Sequence, residues 1–360
     1  MVDSFLHISY NNDIKMENLD IAIIIPAYNE AMTIREVICR FHAALPDAIY
    51  VIVDNRSTDD TGELARQALQ DCGASGMVLY EGRPGKANAV RLAFHEVQAS
   101  VYVMVDADLT YHPEDLPKML APVLEKRADL VIGDRQSTGH YLQENKRPLH
   151  VFGNKLVINL VNWLFGSDLK DIMSGYRVMT HRFVEHTPIL RGGFELETES
   201  TIFALSNRFR IVEVPIRYTD RPEGSASKLN TVRDGFRVCM TIFGILMNYR
   251  PMFFFGILAL ICAGTGLALG MLPIMEYVQY RYVYRVPTAI LAMGLMVLSV
   301  LFSGIALILS NVNNHFMALF EITMMGSRDG KTVPKFVKKI NRSGSAKEAA
   351  KTRQPSLTAV

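Results

Sequence analysis

Apolar and polar positions follow two alternating patterns along the first two thirds of the chain. Short continuous apolar runs are typical of strands that are buried on both faces of a sheet. Between them, apolar residues recur every three or four positions, as on one face of a helix. The strand-like runs are IAIIIPAY (21–28), AIYVIVDN (48–55), MVLYE (77–81), VYVMVDAD (101–108) and DLVIGDR (129–135). This alternation predicts an α/β domain over residues 20–229, with a doubly wound and mostly parallel sheet.

Two longer apolar runs follow this domain. Residues 251–272 and 286–310 contain no charged side chain, and each run is long enough to cross a hydrocarbon core of about 30 Å as a helix. A core helix of a soluble domain passes the same test, but two such runs in tandem favour a membrane pair. Residues 230–250, charged early and apolar later, predict helices in the membrane interface. Gly266 and Gly270 permit close helix packing, either within the chain or in a homo-oligomer.

Basic residues indicate the expected orientation. The connector between the two runs carries Arg281 and Arg285. Residues 326–342, close to the second run, carry six basic residues: Arg328, Lys331, Lys335, Lys338, Lys339 and Arg342. Because cytoplasmic flanks are enriched in Lys and Arg, we expect a multi-pass inner-membrane protein with its α/β domain and both termini in the cytoplasm. Residues 1–19 are expected to form an extension without a signal sequence, and residues 311–360 a basic, largely disordered tail.

Composition narrows the possible partners. The net charge is +2, which gives no general affinity for nucleic acid, while the mean hydropathy of +0.14 reflects the late apolar runs and predicts contact with a lipid bilayer. The four cysteines are scattered, at positions Cys39, Cys72, Cys239 and Cys262. Their spacing matches neither a metal site nor a disulfide framework, so we expect reduced thiols.

Acidic side chains follow the strand-like runs at the point where each run ends. Asp106 and Asp108 end the fourth run, Asp54 ends the second, and Glu30 follows the first. Because α/β sheets bind ligands at the carboxyl ends of their strands, we expect these groups to lie close together. Neighbouring carboxylates favour a divalent cation, and their oxygen atoms suit Mg²⁺ or Mn²⁺. A solvated turn, or Asp108 capping the next helix, is the alternative that the local sequence leaves open.

Two further segments add candidate anion-binding groups. Gly82, Gly85 and Lys86 precede a helix, an arrangement that favours a phosphate at the helix start, although an ordinary turn has the same local sequence. The spacing matches neither a triphosphate-binding loop nor a dinucleotide-binding motif. Arg135 and Arg147 belong to a basic segment that predicts a second phosphate contact, with a solvated surface loop as the alternative.

Six motifs occur in one order along the chain: IIIPAYNE, IVDNRSTDDT, GKANAV, VDADLTYHPEDL, DIMSGYRV and FELETE. Together they resemble glycosyltransferase family 2, and more closely the polyprenyl-phosphate glycosyltransferases of the dolichol-phosphate mannose synthase type that carry a carboxy-terminal pair of membrane spans. The resemblance covers about residues 20–310. It implies a GT-A fold and a metal-dependent, inverting transfer of a sugar from a UDP- or GDP-sugar to a polyprenyl phosphate.

The resemblance also implies roles for individual residues. Asp106 and Asp108 would hold Mg²⁺ or Mn²⁺ on the donor diphosphate, and Lys86 would lie nearby. The nucleotide pocket would be lined by Pro26, Ala27, Tyr28, Glu30 and Asp54.

For the acceptor, the resemblance implies that Arg135 and Arg147 meet the phosphate and that Asp171, which opens DIMSGYRV, lies near the reacting sugar. Because a phosphomonoester is mostly ionised at pH 7, we expect Asp171 to orient a substrate rather than to act as an obligatory base. Two positions depart from the family pattern. Asn55 stands where relatives often have aspartate, and Thr110 where many have glutamine, which leaves the ribose contacts and a third metal ligand open.

Two other functions fit parts of the sequence. A processive polysaccharide synthase would carry a Q-x-x-R-W motif, but the single tryptophan, Trp163, lies in NLVNWLFG without that context. A non-catalytic, membrane-anchored protein that binds nucleotide sugars is the second alternative. The intact acidic pair argues against it.

Overall fold

The computed structural model describes residues 20–137, 148–188, 196–219, 240, 242–247 and 249–326. Its strands are β1 Ile21–Ala27, β2 Ile49–Asp54, β3 Gly76–Tyr80, β4 Val101–Met104, β5 Leu130–Asp134, β6 Arg177–Thr180 and β7 Ile211–Pro215. Its helices are α1 Ile34–Ala44, α2 Thr61–Asp71, α3 Lys86–Glu96, α4 Leu116–Leu124, α5 Pro148–Phe165, α6 His181–His186, α7 Leu196–Ser206, α8 Pro251–Tyr280 and α9 Val286–Gly326.

The seven strands form one sheet in the order β3-β2-β1-β4-β6-β5-β7. Four pairs are parallel, whereas β6 runs antiparallel to both of its neighbours, β4 and β5. The predicted α/β fold with a mostly parallel, GT-A-like sheet is therefore confirmed. The sequence pattern does not reveal β6 or β7, because each is short and carries a charged residue among its apolar ones.

The core of the domain lies between β1 and the helices that cover it. Every residue of β1 is buried, as expected for a continuous apolar run. The predicted stripe of α1 is buried as well, and it packs into the same cluster through Ile34, Val37, Ile38 and Phe41. Burial of each such side chain contributes roughly 1.5–3 kcal/mol, which anchors the loop between β1 and α1 at both ends.

Cys39 and Cys72 form a disulfide, which corrects the expectation that all cysteines are reduced. Their Cα atoms lie 5.7 Å apart, within the usual range for a disulfide. The helices α1 and α2 pack against each other, and Arg35 pairs with Asp71 at 2.7 Å beside the bond. Cys262 is a free thiol. The contact joins residues that are distant in sequence, so their spacing gave no sign of it.

Two helices are long and apolar enough to cross a membrane: α8, and residues Val286–Thr323 of α9. Only 11% of the most apolar window of each is buried. The helix α8 continues through Pro273 to Tyr280. Most of the connector between the two apolar runs is therefore helical. Leucine, methionine and isoleucine residues surround Pro273, and these side chains favour a helix. Similarly, α9 continues past residue 310 to Gly326. Residues 1–19, 220–239 and 327–360 lie outside the described part.

Small residues lie where α8 and α9 meet. A Cβ atom on Gly266 would lie 3.2 Å from Ala292 O, and one on Gly270 would lie 3.5 Å from Ala292 Cβ. The hydroxyl of Ser299 donates a hydrogen bond of 2.9 Å to Ala259 O. The glycine pair is therefore used for packing within the chain.

Candidate active site

The carboxyl ends of β2, β1 and β4 meet at one edge of the sheet, since these strands are parallel neighbours. The register places Ala27 beside Asp54. The antiparallel β6 begins at the same edge, with Arg177 beside Met104. Residues 171–176, which precede β6, therefore lie next to the acidic segment that follows β4.

The loop after β1 is held against α2 and against the acidic segment. The backbone nitrogen of Glu30 donates to Thr61 Oγ1 at 2.9 Å. The hydroxyl of Thr33 donates to Ala107 O at 2.6 Å and lies 3.2 Å from Glu30 Oε2. Glu30 is thereby placed beside the D-A-D segment.

The predicted nucleotide-pocket residues are brought together on this rim. Pro26 and Ala27 end β1, and Tyr28 follows them with its ring exposed. Asp54 ends β2, and its Oδ1 accepts a hydrogen bond of 2.9 Å from Ser57 N. The rim combines an exposed aromatic ring with carboxylates, groups that suit a base and a ribose.

Asn55 organises the loop that leads into α3. Its Nδ2 donates to Arg83 O at 2.6 Å and to Glu81 O at 3.3 Å, and its Oδ1 accepts from Gly85 N at 2.7 Å. An aspartate cannot donate to carbonyl oxygens. Asparagine at this position therefore fits the loop that delivers Lys86.

Lys86 lies between two carboxylates. Its Nζ atom pairs with Asp106 Oδ1 and with Glu197 Oε1. The side chains of Lys86 and Asp106 are 31% and 28% exposed, whereas that of Glu197 is 9% exposed. The ion-paired group is therefore open to a ligand on the Asp106 side and closed on the Glu197 side.

Burial and charge act in opposite directions on these groups. Burial alone would lower the pKa of Lys86, but the charges of Asp106 and Glu197 outweigh it and raise that pKa. Burial would raise the pKa of Glu197, yet Lys86 brings it below its usual value. Burial raises the pKa of Asp106, where the opposing charge of Lys86 is offset by Asp108 and Glu197. Arg177 also lowers the pKa of Glu197, so Asp106, Asp108 and Glu197 lie near two cationic groups, and one negative charge is left in excess.

Asp108 is buried and is oriented by the residue two positions later. Its Oδ1 accepts hydrogen bonds from the Thr110 hydroxyl at 2.6 Å and from Thr110 N at 3.2 Å. Leu109 between them has a φ of 62°, a backbone conformation that side chains rarely adopt. Thr110 therefore positions Asp108.

Gly175 allows the segment before β6 to approach the acidic pair. A Cβ atom on Gly175 would overlap the carboxylate of Asp106, and Gly175 N donates to the Tyr111 hydroxyl at 2.8 Å. The glycine of DIMSGYRV is the only sequence signal for this contact. The need for glycine at this position becomes clear only when β6 lies beside β4, because this pairing brings Gly175 against Asp106.

The buried Arg177 joins the segment before β6 to α7. Its guanidinium donates to four oxygens, at 2.7–3.0 Å: Ile172 O, Ser174 O, Ser200 Oγ and Thr201 Oγ1. Burial lowers its pKa to about 10. Because α7 also carries Glu197, Arg177 fixes the position of Glu197 relative to Asp106. Sequence reasoning assigned Arg177 and Glu197 no role.

Arg135 and Asp171 form a bidentate ion pair. Arg135 Nε and Nη2 donate to Asp171 Oδ2 and Oδ1 at 2.7 and 2.9 Å, and the Asp171 carboxylate is buried. Asp171 Oδ1 also accepts from Met173 N at 3.3 Å, and Asp171 N donates to Glu213 Oε1 at 2.8 Å. The sequence analysis assigned separate roles to Arg135 and Asp171, but in the structure the two side chains form one ion pair. Arg147 lies outside the described residues.

The residues present fit a divalent cation that is shared with a phosphate. Asp106 and Asp108 would supply the carboxylate oxygens, and the surplus of negative charge around Lys86 would favour a cation. Within the described ranges, no cluster of three or more His, Cys, Asp or Glu side chains is placed to hold a metal alone. The other positions would fall to phosphate oxygens and water, as is usual for Mg²⁺.

Comparison with known proteins identifies the family of the chain. Residues 22–186 match the family model described as glycosyl transferase family 2. The chain is 34% identical over 271 residues to glycosyltransferase AglJ of Haloferax volcanii, across 74% of this chain and 83% of that protein. It is 31% identical over 209 residues to the polyprenol monophosphomannose synthase of Mycolicibacterium smegmatis, across 56% of this chain and 78% of that protein.

Among solved structures, a similar one is the glucosyl-3-phosphoglycerate synthase of Mycobacterium tuberculosis in complex with Mn²⁺, UDP-glucose and glycerol 3-phosphate. The TM-score is 0.46 at 20% identity, across 63% of this chain and 81% of that chain. The family match and the similarity along most of AglJ together identify this chain as a glycosyltransferase that belongs to glycosyltransferase family 2.

Proposed function

We propose that this glycosyltransferase moves a sugar from a UDP- or GDP-sugar to the phosphate of a membrane polyprenyl phosphate, with inversion at the anomeric carbon. One observation carries the proposal: the domain with the acidic edge packs directly on the first turn of α8, where the Trp163 and Phe253 rings lie 5.1 Å apart. Such a connection would hold the acidic edge near an acceptor that stays in the bilayer. The similarity to a polyprenol monophosphomannose synthase supports the same acceptor class.

On the donor side, the rim formed by Pro26, Ala27, Tyr28, Glu30 and Asp54 would bind the nucleoside. Asp106 and Asp108 would hold Mg²⁺ or Mn²⁺ on the diphosphate, where the cation would stabilise the charge of the departing nucleoside diphosphate. Lys86 would bind the same diphosphate. The charges of Asp106 and Glu197 raise the pKa of the Lys86 ammonium.

On the acceptor side, the nucleophile is a phosphate oxygen that is already ionised at pH 7, so no proton has to leave it. Arg135, together with Arg147, would bring this anion in line with the anomeric carbon. Asp171 fixes Arg135 through both carboxylate oxygens. Its proposed role is therefore to orient the acceptor, and it is engaged too fully to be a free base.

We further propose the domain arrangement and topology that the sequence predicts. Residues 20–229 would form the catalytic domain on the cytoplasmic side, 230–250 would lie in the interface, and 251–310 would contain the two spans. Both termini would be cytoplasmic.

The test uses the purified full chain in liposomes, a panel of UDP- and GDP-sugars, and polyprenyl phosphate present or absent. We expect release of nucleoside diphosphate that requires both polyprenyl phosphate and a divalent cation, and a product with one sugar per lipid. A polymeric product would instead identify a processive synthase. Nucleotide binding without turnover would identify a binding protein.

A matched pair of variants sharpens this test. Asp108→Asn removes one proposed cation ligand and should abolish release, whereas Asp168→Asn changes an exposed carboxylate and should leave it unchanged. Equal activity of the two variants would contradict the proposed cation site.

A further inference from the structure

The segment that follows β7 lies against the segment that follows the acidic pair. Tyr218 and Tyr111 form an antiparallel bridge between the two segments. Beside this bridge, Arg217 N donates to Oδ2 of the buried Asp115 at 2.7 Å, and Arg217 Nη2 donates to Asp115 Oδ1 at 3.0 Å. The position of Tyr218 is therefore set by its backbone and by the side chain of its neighbour.

The ring of Tyr218 contacts groups from both halves of the candidate site. The guanidinium of Arg135 lies over this ring, 5.4 Å from its centroid, which is within the range of a cation–π contact. The ring also meets that of Tyr111 edge to face, with the two centroids 5.8 Å apart. Because the Arg135 side chain is only 11% exposed, little water weakens the attraction between the cation and the ring.

Arg135 is thus held along its edge and on its face. Asp171 binds one edge of the guanidinium, through Nε and Nη2. Two hydrogen bonds along one edge act as a hinge, about which the plane of the guanidinium can still tilt. A ring that packs on the guanidinium face resists this tilt. The ion pair and the ring therefore restrict different motions of Arg135.

Tyr111 connects the Tyr218 ring to the acidic pair. Tyr111 is 4% exposed, and its hydroxyl accepts a hydrogen bond of 2.8 Å from Gly175 N. It directly follows Thr110, whose hydroxyl donates to Asp108. The ring of Tyr218 therefore packs on a residue that is tied both to the acidic segment and to the segment before β6.

We propose that Tyr218 is a positioning residue for the acceptor, whose ring holds the guanidinium plane of Arg135 at a set distance from Tyr111 and hence from the acidic pair. An acceptor phosphate on Arg135 would then meet the donor sugar in line. The proposal deepens the function proposed above and rests on its assignment of Arg135 to the acceptor phosphate. Tyr218 acts through Arg135 and does not have to touch a substrate.

A ring that only fills space would leave a different signature. Packing depends on the shape of the ring, whereas a cation is attracted by the negative charge on the ring face. Fluorine atoms withdraw this charge and change the shape of the ring little. A series of fluorinated rings at position 218 therefore separates the two roles.

The test uses the full chain in liposomes, with Tyr218→Phe as the reference and phenylalanines of increasing fluorine content introduced at the same position. We expect kcat/KM for polyprenyl phosphate to fall stepwise, by about tenfold across the series. The KM for the nucleotide sugar and the melting temperature should stay close to those of the reference. Tyr218→Leu should lose at least as much as the most fluorinated ring.

A flat series at position 218 would overturn the proposal. A fall in activity that parallels the melting temperature, or that equally raises the KM for the nucleotide sugar, would also overturn it, because the ring would then only stabilise the domain.

Phe209 offers a matched control, since the guanidinium of Arg182 lies over its ring at 5.7 Å. Phe209 precedes β7, whereas Tyr218 follows it, so this pair lies at the opposite end of the strand. The same fluorinated residues at Phe209 should change neither kinetic constant. If the wild type turns over without polyprenyl phosphate, the proposed function fails and this proposal with it. If the wild type requires polyprenyl phosphate and the Tyr218 series is flat, only the positioning role fails.

Discussion

At the scale of single residues, the charge balance of the candidate site depends on Lys86. Its ammonium contacts Asp106 and Glu197, while Asp108 lies two residues from Asp106. Without Lys86, Asp106 would lose its ion-pair partner beside Asp108, while the charge of Arg177 would still act on Glu197. A divalent cation that binds Asp106 would either displace the Lys86 ammonium from this carboxylate or bind next to it.

Replacing Lys86 by methionine should make the stability of the protein depend on a divalent cation. We expect a loss of about 2 kcal/mol, between the values for exposed and for buried ion pairs, and a melting temperature lower by roughly 4–8 °C. Added Mn²⁺ should restore most of this loss while shifting the wild type less. Thermal melts with Mn²⁺ and with chelator measure both effects.

The control for this prediction is Lys170→Met, because Lys170 is exposed and its Nζ contacts Ser137 Oγ. Its melting temperature should not depend on Mn²⁺ more than that of the wild type. A cation-independent melt of the Lys86→Met protein would argue against a cation site at Asp106 and Asp108.

Asp171 is expected to act through Arg135. Asp171→Asn removes the charge but keeps one acceptor for the guanidinium, so Arg135 should be less well positioned. We predict that kcat/KM falls by about 100-fold, or ~2.7 kcal/mol, mostly through a higher KM for polyprenyl phosphate. Steady-state kinetics in liposomes separate the two constants, with the exposed Asp168→Asn as the control. An unchanged KM with kcat lower by four orders of magnitude would instead indicate an obligatory base.

At the scale of elements, β6 determines which segments contact the acidic segment, and the α8–α9 pair determines how the two long apolar helices pack. The strand β6 brings residues 171–176 beside the acidic segment because it runs antiparallel to β4. In the helix pair, the two backbones approach closely at Gly266, whereas a Cβ atom on Gly264 would meet nothing within 4 Å. The two glycines of α8 therefore differ in what a side chain would contact.

Replacing each glycine by leucine should therefore have a different effect on the packing of the two helices. Gly266→Leu would force α8 away from α9 and should cost about 1–3 kcal/mol of packing free energy, whereas Gly264→Leu should be close to neutral. The loss of packing free energy is measured by an SDS titration. Energy transfer between dyes on α8 and α9 reports the SDS concentration at which the two helices separate. Equal midpoints for the two variants would show that the helices do not pack through Gly266.

At the scale of the whole molecule, one compact unit, Met1–Ser310, contains the sheet, α8 and the first part of α9. An enzyme built in this way would meet its acceptor within the plane of the bilayer. The encounter rate would then follow the surface density of the acceptor rather than its bulk concentration.

Dilution of the membrane should therefore slow the reaction. With the amounts of enzyme and polyprenyl phosphate fixed and the acceptor below saturation, a tenfold increase in total lipid should lower the rate about tenfold. Initial rates across a series of acceptor mole fractions test this, and a soluble short-chain phosphate acceptor serves as the comparison, because its rate should stay constant. A rate that ignores the mole fraction of the lipid acceptor would contradict membrane anchoring.

The sequence by itself determined the α/β fold class, the positions of five strands and the placement of Asp106 and Asp108 just beyond a buried strand. It also determined the two long apolar helices. These features are local, because continuous apolar runs and helical spacing report how each segment is buried whatever its neighbours are. The roles assigned to Tyr28, Asp54 and Arg147 stay predictions.

The tertiary structure alone decided which groups meet. The pairing of Arg135 with Asp171, the contact of Lys86 with Glu197, the Cys39–Cys72 bond and the approach of Gly175 to Asp106 all join segments that are distant in the chain. The approach of Gly175 to Asp106 depends on the antiparallel insertion of β6 beside β4, whereas the Cys39–Cys72 bond depends on the parallel pairing of β1 and β2, which brings α1 beside α2. The order and direction of the strands arise from how the buried faces of all elements fit together, and no single segment of sequence carries this information.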